Sequence, residues 1–245
     1  MEHLFGSKRE WYRAGMNIGT VPPAAERPTY TAAEAARYAR TSSVTARRWL
    51  EGYDYKTVRG RRHSAPLTNH PAGERYLTFY DLVEVAAIAA AKNAGVKLPR
   101  IRSAIEYAQE RFRAARPLLL ERFLTDGRDL YLRELEPRAG ALHVNASQAG
   151  QIAFPYIAEV LRHLDYEGEH PVRWWPVGQD RPILVDPKVG FGQPLIYPSG
   201  VRTETVVDRF LAGERMEAIG EEFGLTRELI EEALRFENRL GLIPA

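Results

Sequence analysis

Between Thr31 and Gly52 the chain signals two helix starts separated by one short gap, and that spacing admits few folds. In "TYTAAEAARYAR", Thr31 can cap a helix and Glu34, three residues on, completes a capping box, while Ala35, Ala36 and Ala39 favour helix. Thr41 or Ser42 caps the next helix, which runs to about Gly52. The spacing therefore predicts helix, tight turn, short helix. The second helix turns Trp49 and Leu50 inward and presents Ser43, Thr45, Arg47 and Arg48, with no acid until Glu51. A helix that merely filled a core would carry mixed charges on its polar face; this one suits a negatively charged partner.

The chain then turns extended. Tyr53, Tyr55, Thr57 and Val58 suit a strand, "RGRR" suits an exposed turn, and "RYLTF" suits the return strand. Asp81 is placed as the first-turn acid of a helix through "LVEVAAIAAAKNAG" that Gly95 ends. "KLPRIRSAIEYAQERFRAA" supplies another, with Ile101, Ile105, Ala108 and Phe112 on one face, ended or bent by Pro117. Helix, turn, helix, basic hairpin and two more helices is an order that sets a recognition helix in a major groove with a basic wing beside it. Lys and Arg neutralise phosphates and release counterions, Arg can grip guanine bidentately, and Ser and Thr can bond phosphates or base edges. The candidate DNA-contacting residues are Ser42, Ser43, Thr45, Arg47 and Arg48 on the helix and Lys56, Arg59, Arg61 and Arg62 on the hairpin. Arg47 and Arg48 compete for the groove-facing position.

The net charge of +2 hides a division. Residues 1–116 hold 20 of the 34 Lys and Arg but 11 of the 32 Asp and Glu, a net +9, and the remainder holds 14 basic and 21 acidic residues, a net −7. A basic half for a polyanion and an acidic half for a different role are expected. With no cysteine, disulfides and thiolate metal sites are excluded. No apolar run is long enough for a signal peptide or a membrane span, so a cytoplasmic protein is expected.

"YTAAEAARYARTSSVTARRWLEGY", the basic loop and "RYLTFYDLVEVAAIAAAKNAGVKLPRIRSAI" together resemble the MerR-type winged-helix DNA-binding domain over about residues 29–113. Thr45, Arg47 and Trp49 fall where that family has its threonine, arginine and aromatic on the recognition helix. The resemblance departs in two places. Pro117 interrupts the helical pattern where MerR regulators continue into a long dimerising helix, and the cysteines some of them use to sense metals are absent.

Past "RDLYLREL" and "ALHVNA", read as a weak hairpin, "GQIAFPYIAEVLRHLDY" supplies a helix after Pro155, and "HPVRWWPVGQDRPILVDP" reads as extended. "TETVVDRFLAG", "MEAIGEEFG" and "TRELIEEALRFENRL" then give three helices. Residues 180–240 resemble a small helix-turn-helix domain of unknown function found in bacterial antitoxin-like proteins. The resemblance rests on Asp186-Pro187, "GQPLI", Thr203 to Val207, Ala212-Gly213, Ile219 to Phe223 and Ile230 to Phe236. Chains joining such a unit to a DNA-binding module resemble VapB-type antitoxins, which implies a PIN-type or PIN-like ribonuclease toxin as partner. The last helix sets Arg227, Arg235 and Arg239 against Glu228, Glu231, Glu232 and Glu237, a balance that suits protein contact better than a DNA groove. Its stripe of Leu229, Ile230, Ala233, Leu234 and Phe236 reads as core.

No Walker A loop, nucleophile elbow or zinc-protease motif occurs, "GFG" at 190–192 stands without a following helix start, and the six histidines are scattered. Neither enzymatic activity nor a cofactor or metal is expected. The expected class is mainly α: an arm (1–28), a MerR-like winged helix (29–116), a small α+β middle segment (117–176) and an acidic three-helix, helix-turn-helix-like unit (177–245). Together they describe a homodimeric antitoxin that binds double-stranded operator DNA, represses its own operon and neutralises a toxin. The alternatives are a transcription regulator whose C-terminal half serves oligomerisation or ligand binding, and a structural adaptor that binds no DNA.

Overall fold

A computed structural model describes residues 23–58, 60–124 and 153–241. The expected arm, including Trp11 and Tyr12, lies almost wholly outside these residues, and so does the hairpin expected around "EPRAG".

The two predicted helix starts are where the caps place them. Helix α1 (Ala32–Tyr38) opens on a complete Thr31–Glu34 capping box, and α2 (Ser43–Glu51) is capped by Ser42 rather than Thr41. The β1 (Tyr53–Thr57) and β2 (Gly60–Ser64) strands then form an antiparallel hairpin, followed by α3 (Phe79–Asn93) and α4 (Leu98–Phe112). The return strand differs from the expected one. Thr57 pairs directly with Gly60, so the turn is only two residues long and the "GRRHS" segment, not "RYLTF", closes the hairpin. Gly60 has φ 109°, a conformation that glycine adopts without steric cost, and this lets the reversal happen early. Leu77 of "RYLTF" instead bridges Tyr30, and both are buried.

Residues 153–161 are helical (α5), so the helix expected after Pro155 already includes the two residues before it. Beyond it, β3 (Leu164–Glu167), β4 (His170–Trp174), β5 (Ile183–Val185), β6 (Pro194–Ile196) and β7 (Val201–Arg202) form an antiparallel sheet in sequence order. Helices α6 (Thr203–Leu211), α7 (Met216–Phe223) and α8 (Arg227–Arg239) complete the C-terminal unit as predicted.

Two cores organise these parts. The larger joins α1–α4 to Leu118, Leu119, Phe123, Ile157 and Leu161, and reaches Trp174 and Val185 in the sheet. The smaller gathers Ile183, Ile196, Val206, Ile219, Ile230, Ala233 and Phe236. Strand β5 contributes to both, Val185 to the first and Ile183 to the second. In α8 the buried members of the expected stripe are Ile230, Ala233 and Phe236, with Leu229 and Leu234 partly buried against them. Among the described residues no helix is long and apolar enough to cross a membrane.

Candidate nucleic-acid interface

The turn between α1 and α2 spans only Ala39 to Thr41, and the Thr41 N–H donates to Ala36 O at 2.9 Å. Arg40 completes it at φ 55°, in the left-handed region where a non-glycine residue is uncommon. Ala46, Trp49 and Leu50 anchor α2 in the core, while Ser43, Val44, Arg47 and Arg48 face solvent.

Ser42 plays a structural part, because its hydroxyl accepts the Thr45 N–H at 3.1 Å and donates to Thr45 Oγ1 at 2.8 Å. The cap therefore draws both Ser42 and Thr45 into local hydrogen bonding. Arg47 is 60% exposed and lies 3.7 Å from Glu51, an i,i+4 pair of the kind that contributes about 0.3–0.5 kcal/mol. Arg48 has no carboxylate partner among the described residues; its guanidinium lies over the Tyr53 ring at 5.2 Å.

The hairpin is joined to α2 by Gly52, at φ 77°, where an added Cβ would lie 2.6 Å from Ser64 O. That close approach seats the base of the hairpin against the end of α2. Arg102 of α4 fastens the other side by donating to Pro66 O at 3.0 Å, Ser64 Oγ at 3.2 Å and Ala65 O at 2.5 Å. The Leu67 N–H donates to Trp49 O at 2.7 Å. Of the hairpin candidates, Lys56, Arg61 and Arg62 are exposed and Arg59 lies outside the described residues. Lys56 and Arg61 are direct cross-strand partners, and Asp54 on the same face takes Arg61 at 3.6 Å and His63 at 2.9 Å.

Behind this surface sits a buried ionic cluster that the sequence did not reveal. Arg116 donates to Asp81 Oδ1, Glu84 Oε2 and Asn69 O, at 2.8, 2.8 and 2.9 Å. His70 sets Nδ1 against Asp81 Oδ2 at 3.1 Å and Nε2 against Glu74 O at 3.1 Å. Asp81 also serves Thr78 in a capping box at the start of α3. Burial pushes the His70 pKa down, but the hydrogen bond to Asp81 outweighs it and the pKa is raised. Burial likewise acts to raise Asp81, and the His70 bond and the Arg116 charge bring it down to about 2. For Glu84 burial dominates and Arg116 offsets it only in part, leaving its carboxyl at about 7. The cluster ties the segment after the hairpin to α3 and to the end of α4, so it holds the frame on which the exposed cations stand.

The basic and acidic halves use their cations differently. Among the described residues, Arg40, Lys56, Arg62, Arg75, Lys92, Lys97 and Arg100 have no carboxylate within ion-pair distance. In the C-terminal unit Arg181, Arg209, Arg227 and Arg235 are all engaged by glutamates, of which Arg209 grips both Glu214 and Glu222. Exposed cations without a carboxylate are what a polyphosphate requires; on α2 and the hairpin Arg48, Lys56 and Arg62 are of this kind, while Arg47 and Arg61 are met by Glu51 and Asp54.

The two halves meet at α1. Tyr30 Oη donates to Gly192 O at 3.0 Å, Tyr38 Oη donates to Gln193 Oε1, and Gln193 Nε2 donates to Glu34 Oε1 at 3.1 Å. Arg37 pairs with Glu204 at 3.7 Å. The "GFG" turn, without a helix start to make it a phosphate cradle, is thus the place where the acidic unit seats against the first helix of the helix-turn-helix.

Residues 28–105 match the family described as "Putative DNA-binding HTH domain", and residues 183–236 match a "Protein of unknown function" family, DUF433. The first match is to a DNA-binding helix-turn-helix family and does not single out the MerR type. Over 224 residues the chain is 28% identical to "Putative antitoxin VapB45" of Mycobacterium tuberculosis, covering 84% of this chain and 92% of that protein. It is also 28% identical over 244 residues to the uncharacterized protein Rv2308 of the same organism, covering 94% and 97% of the two. The crystal structure of Rv2018 from Mycobacterium tuberculosis shares the fold, with a TM-score of 0.65 at 24% identity over 85% of this chain and 98% of that one.

Proposed function

We propose that this chain is a DNA-binding antitoxin that represses its own operon and neutralises a PIN-type ribonuclease toxin. The observation that carries the DNA half is the run of unneutralised cations on a helix-turn-helix and its hairpin, within the segment that matches a DNA-binding family. In this reading α2 enters the major groove in the MerR manner, Arg47 or Arg48 reaches base edges, and Lys56, Arg59, Arg61 and Arg62 take phosphates beside it. Ser43 remains free to meet a phosphate at the helix start, whereas Ser42 and Thr45 act by holding the helix in shape. A homodimer on an inverted repeat doubles the short half-site that one module can read.

The antitoxin half draws on the likeness to a protein named as an antitoxin over most of both lengths. The acidic unit offers two ways to block a nuclease that holds metal with clustered carboxylates. An arginine can enter among the acids, and here Arg202, Arg215 and Arg239 are exposed and, among the described residues, without a carboxylate partner. Alternatively, exposed glutamates such as Glu217, Glu221 and Glu228 can cover the basic rim that would bind RNA. A transcription regulator without a toxin is the second reading, favoured by the internal pairing of most C-terminal arginines.

The deciding experiment uses the full chain. Its affinity for the duplex upstream of its own gene is measured across a roughly fourfold range of salt, over which a protein making several phosphate contacts loses orders of magnitude in affinity. The chain is also coexpressed with the neighbouring reading frame. Steeply salt-dependent binding together with suppression of a ribonuclease activity is expected. Absence of duplex binding removes the DNA reading. A neighbour that is harmless, or whose toxicity the chain leaves untouched, removes the antitoxin and leaves the regulator.

A further inference from the structure

The two faces of the β1–β2 hairpin are chemically unlike. Side chains alternate along a strand and directly paired residues share a face. Tyr53, Tyr55 and Thr57 therefore stand on one side with their partners Ser64, Arg62 and Gly60. Asp54, Lys56, Arg61 and His63 stand on the other. All of the hairpin's acidic charge is on the second face, where Asp54 is taken by His63 and Arg61. The tyrosine face has no carboxylate among the described residues of the two strands.

On that face the aromatics form a row. The rings of Tyr53 and Tyr55 lie 5.8 Å apart at 45°, and Arg48 covers the inner end at 5.2 Å from the Tyr53 centroid. Tyr55 is the open end, 41% exposed, with the exposed Arg62 directly across from it. The two aliphatic hydroxyls on the face are already engaged, Thr57 with Gly60 O at 2.9 Å and Ser64 with Arg102 at 3.2 Å. What remains for a ligand is a phenol ring beside a guanidinium.

We propose that this face binds unpaired bases of a single-stranded nucleic acid, with one base stacked on Tyr55 and its phosphate held by Arg62. In a duplex each base face is covered by its neighbours, so an exposed ring finds only edges and phosphates there. A flat aromatic flanked by cations is instead the platform on which single strands stack. This ligand differs from the duplex assigned to α2 and the cationic hairpin residues; Arg62 is common to the two readings, and Tyr55, which the duplex reading does not use, separates them.

The test uses the full chain with fluorescein-labelled dodecamers of oligothymidylate and oligouridylate, and a second set carrying one 2-aminopurine. Fluorescence anisotropy reads affinity, quenching of 2-aminopurine reads stacking, and the upstream duplex is titrated in parallel. The wild type binds both single strands and quenches the probe. Tyr55→Ala weakens single-strand binding by roughly 5- to 150-fold, the strength of one base–aromatic stack, and abolishes the quench. Tyr55→Phe, which keeps the ring and loses the hydroxyl, behaves as wild type. Arg62→Ala weakens binding and retains the quench. Tyr55→Ala keeps its duplex affinity within two-fold, which also shows that it is folded.

The proposal is overturned if the wild type binds no single strand, if the probe is not quenched, or if Tyr55→Ala binds as wild type. It is overturned equally if Tyr55→Phe loses as much as Tyr55→Ala, which would mean a hydroxyl–phosphate contact, or if the duplex suffers the same loss.

Discussion

Replacing Arg116 by Met removes three donated hydrogen bonds while keeping most of the side-chain volume. Asp81 and Glu84, both buried, lose their shared cation, and Asn69 O loses its donor. Breaking a buried pair from one side strands an uncompensated charge and costs about 3–5 kcal/mol. Two features locate this substitution within that range. Asp81 retains His70 and the Thr78 cap, so its carboxylate stays satisfied. Glu84 keeps only a backbone hydrogen bond from Asn69 and the more distant charge of His70, and its carboxyl already sits at about 7 with Arg116 in place. Losing the cation moves it higher still. A carboxyl whose folded pKa lies above its unfolded value contributes stability below the unfolded pKa, and that contribution is lost as pH rises through the folded value. The penalty of Arg116→Met is therefore larger at about pH 7.5, near 3–5 kcal/mol, and smaller at about pH 5.5, where Glu84 takes up a proton. Adding Glu84→Gln to Arg116→Met recovers about 1–3 kcal/mol at the higher pH and much less at the lower. Urea unfolding followed by tryptophan fluorescence, at both pH values for the four members of the cycle, reads these differences. A cost below about 1 kcal/mol at the higher pH, or a cost that grows on acidification, contradicts the assignment of Arg116 as the counter-charge of Glu84.

Gly52→Ala forces a side chain into φ 77° and against Ser64 O, so thermal unfolding should shift down by an amount equivalent to about 1–3 kcal/mol; an unchanged Tm refutes the tight seat at the hairpin base. Lys56→Ala, Arg61→Ala and Arg62→Ala should each weaken binding to all duplexes evenly and reduce the salt slope by about 1, whereas Arg47→Ala or Arg48→Ala should cost about 1–3 kcal/mol on the cognate sequence; equal loss across sequences for all five denies α2 a reading role. Light scattering of the full chain should give twice the chain mass with and without operator DNA, and a monomer in both conditions rules out the paired half-site. Charge reversal at Arg202, Arg215 or Arg239 should release the toxin's ribonuclease without altering duplex affinity; if none does, the carboxylate-covering device is the one in use.

What the sequence revealed was local. Thr31 and Glu34 are three residues apart and their reciprocal hydrogen bonds need nothing else, so the start of α1 could be read directly. The three C-terminal helices were legible for the same reason, being punctuated by Ala212-Gly213 and by Gly224 and Thr226. The return strand was misplaced because "RYLTF" has the aromatic and β-branched composition of a strand and "GRRHS" does not. Pairing followed the early turn at Gly60, not propensity. The exposed cations on α2 and the hairpin were visible as residue types, but which hydroxyls would be consumed by capping was not, and Ser42 and Thr45 changed role once the cap was seen. The ionic cluster had no sequence signal, since Arg116 meets Asp81 and Glu84 across 35 and 32 positions.

The meeting of Tyr30 with Gly192 bears on how such chains can be recombined. The two matched segments, 28–105 and 183–236, look interchangeable as cassettes, yet each contributes one half of a contact that leaves no slack. A methyl group at position 192 would lie 2.1 Å from the tyrosine hydroxyl, and the neighbouring Gln193 is committed to Tyr38 and Glu34. A graft that imports a foreign C-terminal cassette must therefore carry a glycine and a glutamine in register with the host's tyrosines, or import α1 along with it. The natural splice point for chimaeras is not the linker between the cassettes but the far side of α1, upstream of Tyr30.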